Sequence, residues 1–379
     1  MKKAAIIIPT YNEEGNIKQL IERVFEVTSH VPNWVVEVVI VDSNSPDGTG
    51  KIVESLIQKY PHLHLLKTEK EGLGKAYMKG FKIAMEKLQP YLLFEMDADL
   101  SHDPKLIPDF LEKIERGADF VIGSRYIKGG SIPENWGLYR KVLSVLGNLT
   151  IRFGFMKLSI TDWTSGYRAI KVWIVKDAFT HTEKYTGYVF QVALLDRAIA
   201  KHAKIAEIPL QFIDRKSGIS KINSIQYIGQ TLLYVFTNSS FVKYVIVGLL
   251  GFAIDFGFAY AFINAVKIAK TPANMLSAEI AIVCNFFINN FWSFRHKKIE
   301  GGLLTYVGKF FLFNFVSLGA VIIQGVGMFA SLKLFGDIKL NLWGMVTLQS
   351  WILYKVLIIA FLIIPYSYVM YNKVVWKNK

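Results

Sequence analysis

Asp97-Ala98-Asp99 places two carboxylates at alternate positions directly behind an apolar run, Tyr91–Met96. Such a pair can hold one hard divalent cation and leave its remaining positions to phosphate oxygens. A cation held there offsets charge on a departing diphosphate. Alone, a D-x-D is weak, because carboxylates are common on loops and one of these could cap the helix near Asp103. Its company matters more. Pro9-Thr10-Tyr11-Asn12-Glu13 offers an aromatic ring and a carboxylate behind a first apolar run, and Asp42 ends a second. An acid after an early strand suits a ribose or base contact, so the three clusters together suggest a nucleotide pocket. The chain has no G-x-x-x-x-G-K-[ST] loop, no G-x-G-x-x-G after its first strand and no G-x-S-x-G elbow. Those absences exclude a P-loop ATPase and argue against a dinucleotide oxidoreductase or an elbow-type hydrolase.

The elements that must position these residues follow from the hydrophobic pattern. Residues 4–8, 35–41, 91–96 and 118–123 are short apolar runs, as in strands buried on both faces. A further strand is expected over 64–67. Helical patterns fill the intervals at about 13–27, 49–60, 75–88 and 103–116, the last with Pro104 in its first turn. Alternating strands and helices give a mainly parallel α/β sheet, whose ligands bind beyond the carboxyl ends of the strands. Thr10–Glu13, Asp42, Asp97–Asp99 and Ser124-Arg125 all fall at such ends. Segments 136–158 and 222–240 are amphipathic and suit either a core-facing helix or one lying on a membrane surface.

The chain has 379 residues, 52% of them hydrophobic and 14% aromatic, with a mean hydropathy of +0.31. That aromatic content is too much buried payload for a disordered chain, and Cys284, the one cysteine, excludes a disulfide scaffold and a cysteine zinc site. Residues 1–240 carry a net charge of +5 from many charges, and residues 241–379 carry +9 from few. The first part therefore reads as a globular domain and the second as membrane-embedded. Domains are expected at 1–220 and 242–379, joined by an interface linker over 221–241. Spans are expected at 244–266, 274–294, 310–332 and 342–371, each long enough to cross the hydrocarbon. Both hairpins close on an aromatic and basic tail, a hint of internal duplication. The apolar stretch after Lys2-Lys3 is too short for a signal peptide. Seven basic residues against four in the opposite loops put the first domain and the C-terminal tail in the cytoplasm. Asp255, Glu279 and Lys355 fall inside the spans, where charge is costly and marks a functional candidate by default; the favoured reading is structural, that they pair with one another or face protein.

Ile8–Glu13, Val41-Asp42 with Ser45–Thr49, and Met96–His102 together resemble a family-2 glycosyltransferase, most closely the dolichyl-phosphate mannose synthases. Gly123–Tyr126, Tyr139–Lys141, Thr164–Arg168 and Arg215–Lys221 extend the resemblance over about residues 4–235. Residues 243–377 are similar to the small four-helix GtrA-like membrane proteins. The resemblance implies a glycosyltransferase A fold, followed by an all-α transmembrane domain of four helices. It implies a nucleoside-diphosphate sugar, Mg²⁺ or Mn²⁺, and a polyprenyl phosphate acceptor in the bilayer, with no nucleic-acid partner. By motif match, Pro9, Tyr11, Glu13, Asp42, Asp97 and Ala98 would line the nucleotide site. Asp97 and Asp99 would bind metal. The position two after Asp99 is often a glutamine ligand in the family; here it is Ser101, which joins the candidate ligands. Where an acidic pair often follows Asp42, this chain has Ser43-Asn44.

A phosphate monoester, with a second pKa near 6, is already largely dianionic at neutral pH. As an acceptor it needs positioning and charge compensation rather than a strong base. Arg125, Arg140, Arg215 and Lys221 are candidates for that role, with Ser144 one turn from Arg140 as a hydroxyl donor. The function expected is inverting transfer of a hexose, most readily mannose from GDP-mannose, to a dolichyl or polyprenyl phosphate. The alternatives are glucose from UDP-glucose, or a lipid-sugar flippase carried by the spans. A binding module without chemistry would not need the whole set.

Overall fold

The computed structural model describes residues 1–185, 187–214, 224–342 and 346–377, without the side chains of 224–225, 339–342 and 346–348. The chain divides into two compact units, Met1–Val235 and Phe236–Lys379.

The first unit is built on a seven-stranded sheet in the order β3-β2-β1-β4-β6-β5-β7. β1 (Lys2–Thr10), β2 (Trp34–Asp42), β3 (Leu63–Lys67) and β4 (Leu92–Glu95) run parallel. β6 (Arg168–Lys171) is inserted antiparallel between β4 and β5 (Phe120–Ser124), and β7 (Ile205–Pro209) pairs parallel with β5. Six strands therefore point their carboxyl ends at one edge, and β6 starts from that same edge. The helices α1 (Glu14–Thr28), α2 (Thr49–Ile57), α3 (Leu73–Ile83) and α4 (Ile107–Glu115) are the crossovers. Then come α5 (Leu138–Gly154), α6 (Val172–Thr182), α7 (Val189–Ala200) and α8 (Ser224–Asn238). This is the mixed sheet with flanking helices of a glycosyltransferase A fold.

Ile6, Ile8, Val38, Ile40, Leu92 and Phe94 are fully buried on one face of the sheet, packed on Ile17, Leu20, Ile21 and Val24 of α1. On the other face α3 passes so close that a Cβ on Gly80 would meet Ile7 Cγ2 at 2.4 Å. Only a glycine allows that approach.

The second unit holds four helices long and apolar enough to cross a membrane: Ser240–Asn264, Lys270–Ser293, Leu303–Phe335 and Ser350–Val375. We label α9 (Ser240–Asn264), α10 (Lys270–Ile288) and α11 (Leu303–Phe335). The fourth is composite: α12 (Ser350–Ile358), a π-helical turn, α13 (Ile364–Met370), and a second π-turn over Tyr371–Val375. The expected span 342–371 is corrected at its start. A short hairpin of β8 (Lys339–Leu342) and β9 (Val346–Gln349) occupies that stretch, and the helix begins at Ser350. Both hairpins of helices end alike. α10 and the fourth helix each run into a π-turn, and the aromatics after those turns, Phe294 and Trp376, stack at 4.5 Å. Trp376 Nε1 donates to Asn290 Oδ1 at 3.0 Å and Lys297 Nζ to Asn372 Oδ1 at 3.0 Å.

The three intramembrane charges, expected to pair with one another or to face protein, differ in what they do. Asp255 accepts a hydrogen bond from Ser277 on the neighbouring helix. Among the described residues, no ion pair links Glu279 or Lys355 to anything in the unit.

Candidate active site

The carboxyl ends of β1 and β2 lie side by side, with Thr10 opposite Asp42 in register. Asp42 is 2% exposed and gives its oxygens to protein donors. Thr10 Oγ1 and Ser45 Oγ both donate to Oδ1, at 3.0 and 2.5 Å, and the Ser45 N–H donates to Oδ2 at 3.1 Å. The loops beyond the strands are laced by backbone donors. The Asn12 N–H reaches Ser45 Oγ, the Glu13 N–H reaches Thr49 Oγ1 and the Glu14 N–H reaches Asp47 Oδ2, each at 3.0 Å. Asn12 and Asn44 adopt positive φ, a backbone state asparagine tolerates. Asp42 thus fixes the cradle, while Tyr11, with Lys70 Nζ 3.6 Å from its ring centre, and Glu13, holding Asn16 Nδ2 at 3.0 Å, line it. Pro9 is half-buried at the strand end behind them.

β4 ends at Glu95, and the chain turns sharply through Asp97–His102 with Leu100 at φ 65. Asp97 and Asp99 are half-buried there, and Ala98 is packed beneath at 4% exposure. Asp99 Oδ1 accepts the Ser101 N–H at 3.1 Å, and Ser101 is buried. Asp97 Oδ1 accepts Tyr77 Oη–H at 3.3 Å. The Asp97 N–H donates to Nδ1 of His102 at 2.9 Å, and that ring's Nε2 stands 3.7 Å from Asp97 Oδ2. His102 is 1% exposed, stacks on Tyr167 at 4.9 Å and meets Phe212 edge-on. A Cβ on Gly166 would lie 3.5 Å from both Asp97 Oδ2 and His102 Cε1, so the 164–166 loop backs the same turn.

Two groups that sequence reasoning missed lie under it. Glu95 and Arg168 are cross-strand partners, both fully buried, with Nε 3.8 Å from Oε2. Arg168 also donates to the Gln191 and Trp163 carbonyls at 2.7 and 2.8 Å. Burial pushes the Glu95 carboxyl up to about 7; Asp97 adds to the rise, and Arg168 and Gln191 oppose it. Glu95 closes β4 and Arg168 opens β6, so the pair meets only across the sheet and leaves no local mark in the sequence.

Arg125 differs from expectation. Its side chain is 10% exposed and forms a fork on Asp162, Nε to Oδ2 and Nη2 to Oδ1, both at 2.8 Å. Nη2 also reaches Thr164 Oγ1 at 2.7 Å. Its charge is spent inside the protein, so Arg125 holds the 162–164 loop rather than offering an open anion contact. Burial raises the Asp162 carboxyl, but Arg125 outweighs it and holds the group below its ordinary value. Arg140, near the start of α5, is half-exposed, stacks on Trp136 at 3.8 Å and stands 3.8 Å from Asp214. Ser144, one turn on, shares a 2.6 Å hydrogen bond with Tyr126 Oη. α5 leaves Leu138, Tyr139, Val142, Leu146 and Phe153 exposed. Arg215 and Lys221 lie outside the described residues.

Two carboxylates on a half-open turn, backed by hydrogen-bond donors, form a hard oxygen-donor pair. Among the described residues no group of three or more His, Cys, Asp or Glu forms a complete cage. Two protein carboxylates with the rest left to phosphate and water is how Mg²⁺ is commonly held, so the residues fit a divalent cation shared with a diphosphate.

Comparison with known proteins identifies the relatives of both units. A model described as glycosyl transferase family 2 matches residues 5–179, and one described as the GtrA/DPMS transmembrane domain matches residues 243–376. A dolichol-phosphate mannosyltransferase of Pyrococcus furiosus is 33% identical over 315 residues, 81% of this chain and 85% of that protein. A polyprenol monophosphomannose synthase of Mycolicibacterium smegmatis is 37% identical over 224 residues, 59% of this chain and 82% of that one. A glucosyl-3-phosphoglycerate synthase from Mycobacterium tuberculosis, solved with Mn²⁺ and UDP-glucose, is a remote likeness. Its TM-score is 0.46 at 14% identity, over 62% of this chain and 78% of that one.

Proposed function

Since the chain belongs to the family-2 glycosyltransferases, with a GtrA/DPMS membrane domain behind the catalytic one, we propose that it transfers mannose from GDP-mannose to a polyprenyl phosphate with inversion. One observation carries this reading most: the likeness to the dolichol-phosphate mannosyltransferase extends over 315 residues, more than either unit contains. It therefore takes in the soluble and the membrane parts together.

The acceptor phosphate oxygen attacks the anomeric carbon. The new C–O bond forms as the bond to the diphosphate breaks, so the nucleoside diphosphate leaves with that electron pair. Tyr11 and Glu13 hold the nucleoside in the cradle that Asp42 keeps in shape. Asp97 and Asp99 would hold Mg²⁺ or Mn²⁺, which would offset charge on the leaving diphosphate; Ser101 serves that turn through its N–H to Asp99. Arg140 and Ser144 orient the acceptor phosphate from α5, with Arg215 and Lys221 as further cationic candidates. The exposed apolar face of α5 supports its lying on the lipid surface, where such an acceptor presents its headgroup. The excess of basic residues in the 295–309 loop and the tail supports a cytoplasmic catalytic unit. The donor is tested by titrating GDP and UDP calorimetrically with Mg²⁺ present. Tighter GDP binding is expected, and a preference for UDP would move the reading to a glucosyl donor.

His102 is a positioning residue in this scheme. His102→Ala orphans the Asp97 amide and frees the turn, a loss of about 1–3 kcal/mol, or roughly 5- to 150-fold in kcat/KM. His102→Asn keeps an acceptor near the Nδ1 position and should recover most of it. The assay compares apparent metal affinity across the three proteins. If His102→Ala lowers only the melting temperature, with metal affinity unchanged, the histidine merely packs.

A further inference from the structure

Glu279 lies on α10, nine residues and roughly 14 Å from the Lys270 end of its span. It is exposed there, in a stripe with Leu276, Val283 and Phe287. A carboxylate on the lipid face at that depth is costly and cannot snorkel that far on so short a side chain. Asp255 escapes the cost by its bond to Ser277. Among the described residues Glu279 has no such partner. Lys355 is its counterpart in charge. It sits on α12, five residues and roughly 8 Å from the Ser350 end, exposed among Trp351, Ile352 and Val356. It too has no ion-pair or hydrogen-bond partner among the described residues. Both ends, Lys270 and Ser350, follow loops on the side opposite the basic 295–309 loop, so the two charges occupy the same half of the bilayer. Their depths differ by about 6 Å, within reach of a lysine side chain. Inside one copy α10 packs mainly on α9, and α12 mainly on α11.

We propose that Glu279 and Lys355 mark an intramembrane interface between two copies of this chain. Glu279 of each copy pairs with Lys355 of the other. A two-fold interface is self-complementary, so one contact made twice neutralises all four charges. Opposite charges that are unpaired within the copy, at matching depth, are the pattern such an interface requires. The occupant is a second copy rather than lipid, because lipid tails offer neither charge a partner.

The test uses the full-length protein in native membranes. Cys284 is the one native cysteine, so a Cys284→Ser background leaves only introduced thiols. Two differently tagged chains, one with Glu279→Cys and one with Lys355→Cys, are co-expressed and treated with a bis-thiol-reactive cross-linker about as long as the lysine side chain it replaces, because cysteines offset in depth are too far apart for a direct disulfide. A cross-linked heterodimer is expected from that pair, and none from either cysteine replaced by serine. Charge reversal is the second arm, read as the dimer fraction by single-molecule photobleaching in lipid vesicles. Glu279→Lys and Lys355→Glu should each lower that fraction at least tenfold, and the double reversal should restore it. A monomeric wild type in bilayers, no cross-link, or a double reversal no better than the singles overturns the proposal. A variant that fails to fold leaves the cross-link to decide.

Discussion

Replacing Asp99 with asparagine is expected to remove nearly all sugar transfer while leaving the fold intact. Asp99 is half-buried on the turn after β4, where its Oδ1 accepts the Ser101 N–H. An asparagine Oδ1 can accept that bond, so stability should change by less than about 1 kcal/mol. The change deletes one of the two carboxylate charges available to a divalent cation. Charge stabilisation by such an ion is worth several kcal/mol, so kcat/KM should fall roughly 100- to 1,000-fold. In the same account, wild-type activity disappears in EDTA and returns with Mg²⁺ or Mn²⁺. Activity and melting temperature measured on one preparation separate the effects. A folded Asp99→Asn protein that transfers sugar at near wild-type rate removes the metal assignment.

The second large effect is on stability. Arg125→Ala leaves Asp162, which is fully buried, without the guanidinium that neutralises it. Removing one partner of a buried pair typically costs about 3–5 kcal/mol, and at roughly 2–4 °C per kcal/mol for a unit of this size the melting temperature should drop by about 6–20 °C. The sign of the pH dependence follows from Asp162. Its carboxyl is held below its ordinary value in the folded protein, so the pair stabilises above the unfolded-state value and loses that contribution as pH falls through the folded one. In Arg125→Ala the orphaned carboxylate is the liability, so Arg125→Ala/Asp162→Asn should melt higher than Arg125→Ala alone. The decisive comparison is the three melts at neutral pH. An Arg125→Ala protein melting within 2 °C of wild type would show that the fork contributes little.

Which parts of this were legible depends on where the information sits. β1, β2 and β4 are buried on both faces and appear in the sequence as largely apolar runs, so the edge that gathers Thr10–Glu13, Asp42 and Asp97–Asp99 could be placed from periodicity. β6 and β7 could not. Arg168-Ala169-Ile170-Lys171 is four residues with a charge at each end, and its arginine is buried only because Glu95 stands opposite. Nothing local signals that. Arg125 reads as an available cation because its partner lies 37 residues along the chain, a separation with no periodic mark. His102 stood inside a recognised motif, yet its duty to the Asp97 amide depends on a sharp turn that only the folded backbone displays. In the membrane unit, length and hydropathy found four spans. They also merged β9 into the last one, because a short alternating segment beside an apolar helix raises the same average.

The central claim is the identity of the sugar, its donor and its acceptor, and product analysis tests it most directly. Purified full-length protein is given GDP-mannose, UDP-glucose or UDP-galactose, with Mg²⁺ and a polyprenyl phosphate, and the lipid product is examined by mass spectrometry and NMR of the anomeric centre. The account predicts a polyprenyl-phosphate mannose from GDP-mannose alone, with GDP released and the anomeric configuration inverted. Product only from a UDP-sugar, or a mannosyl product of retained configuration, would contradict it.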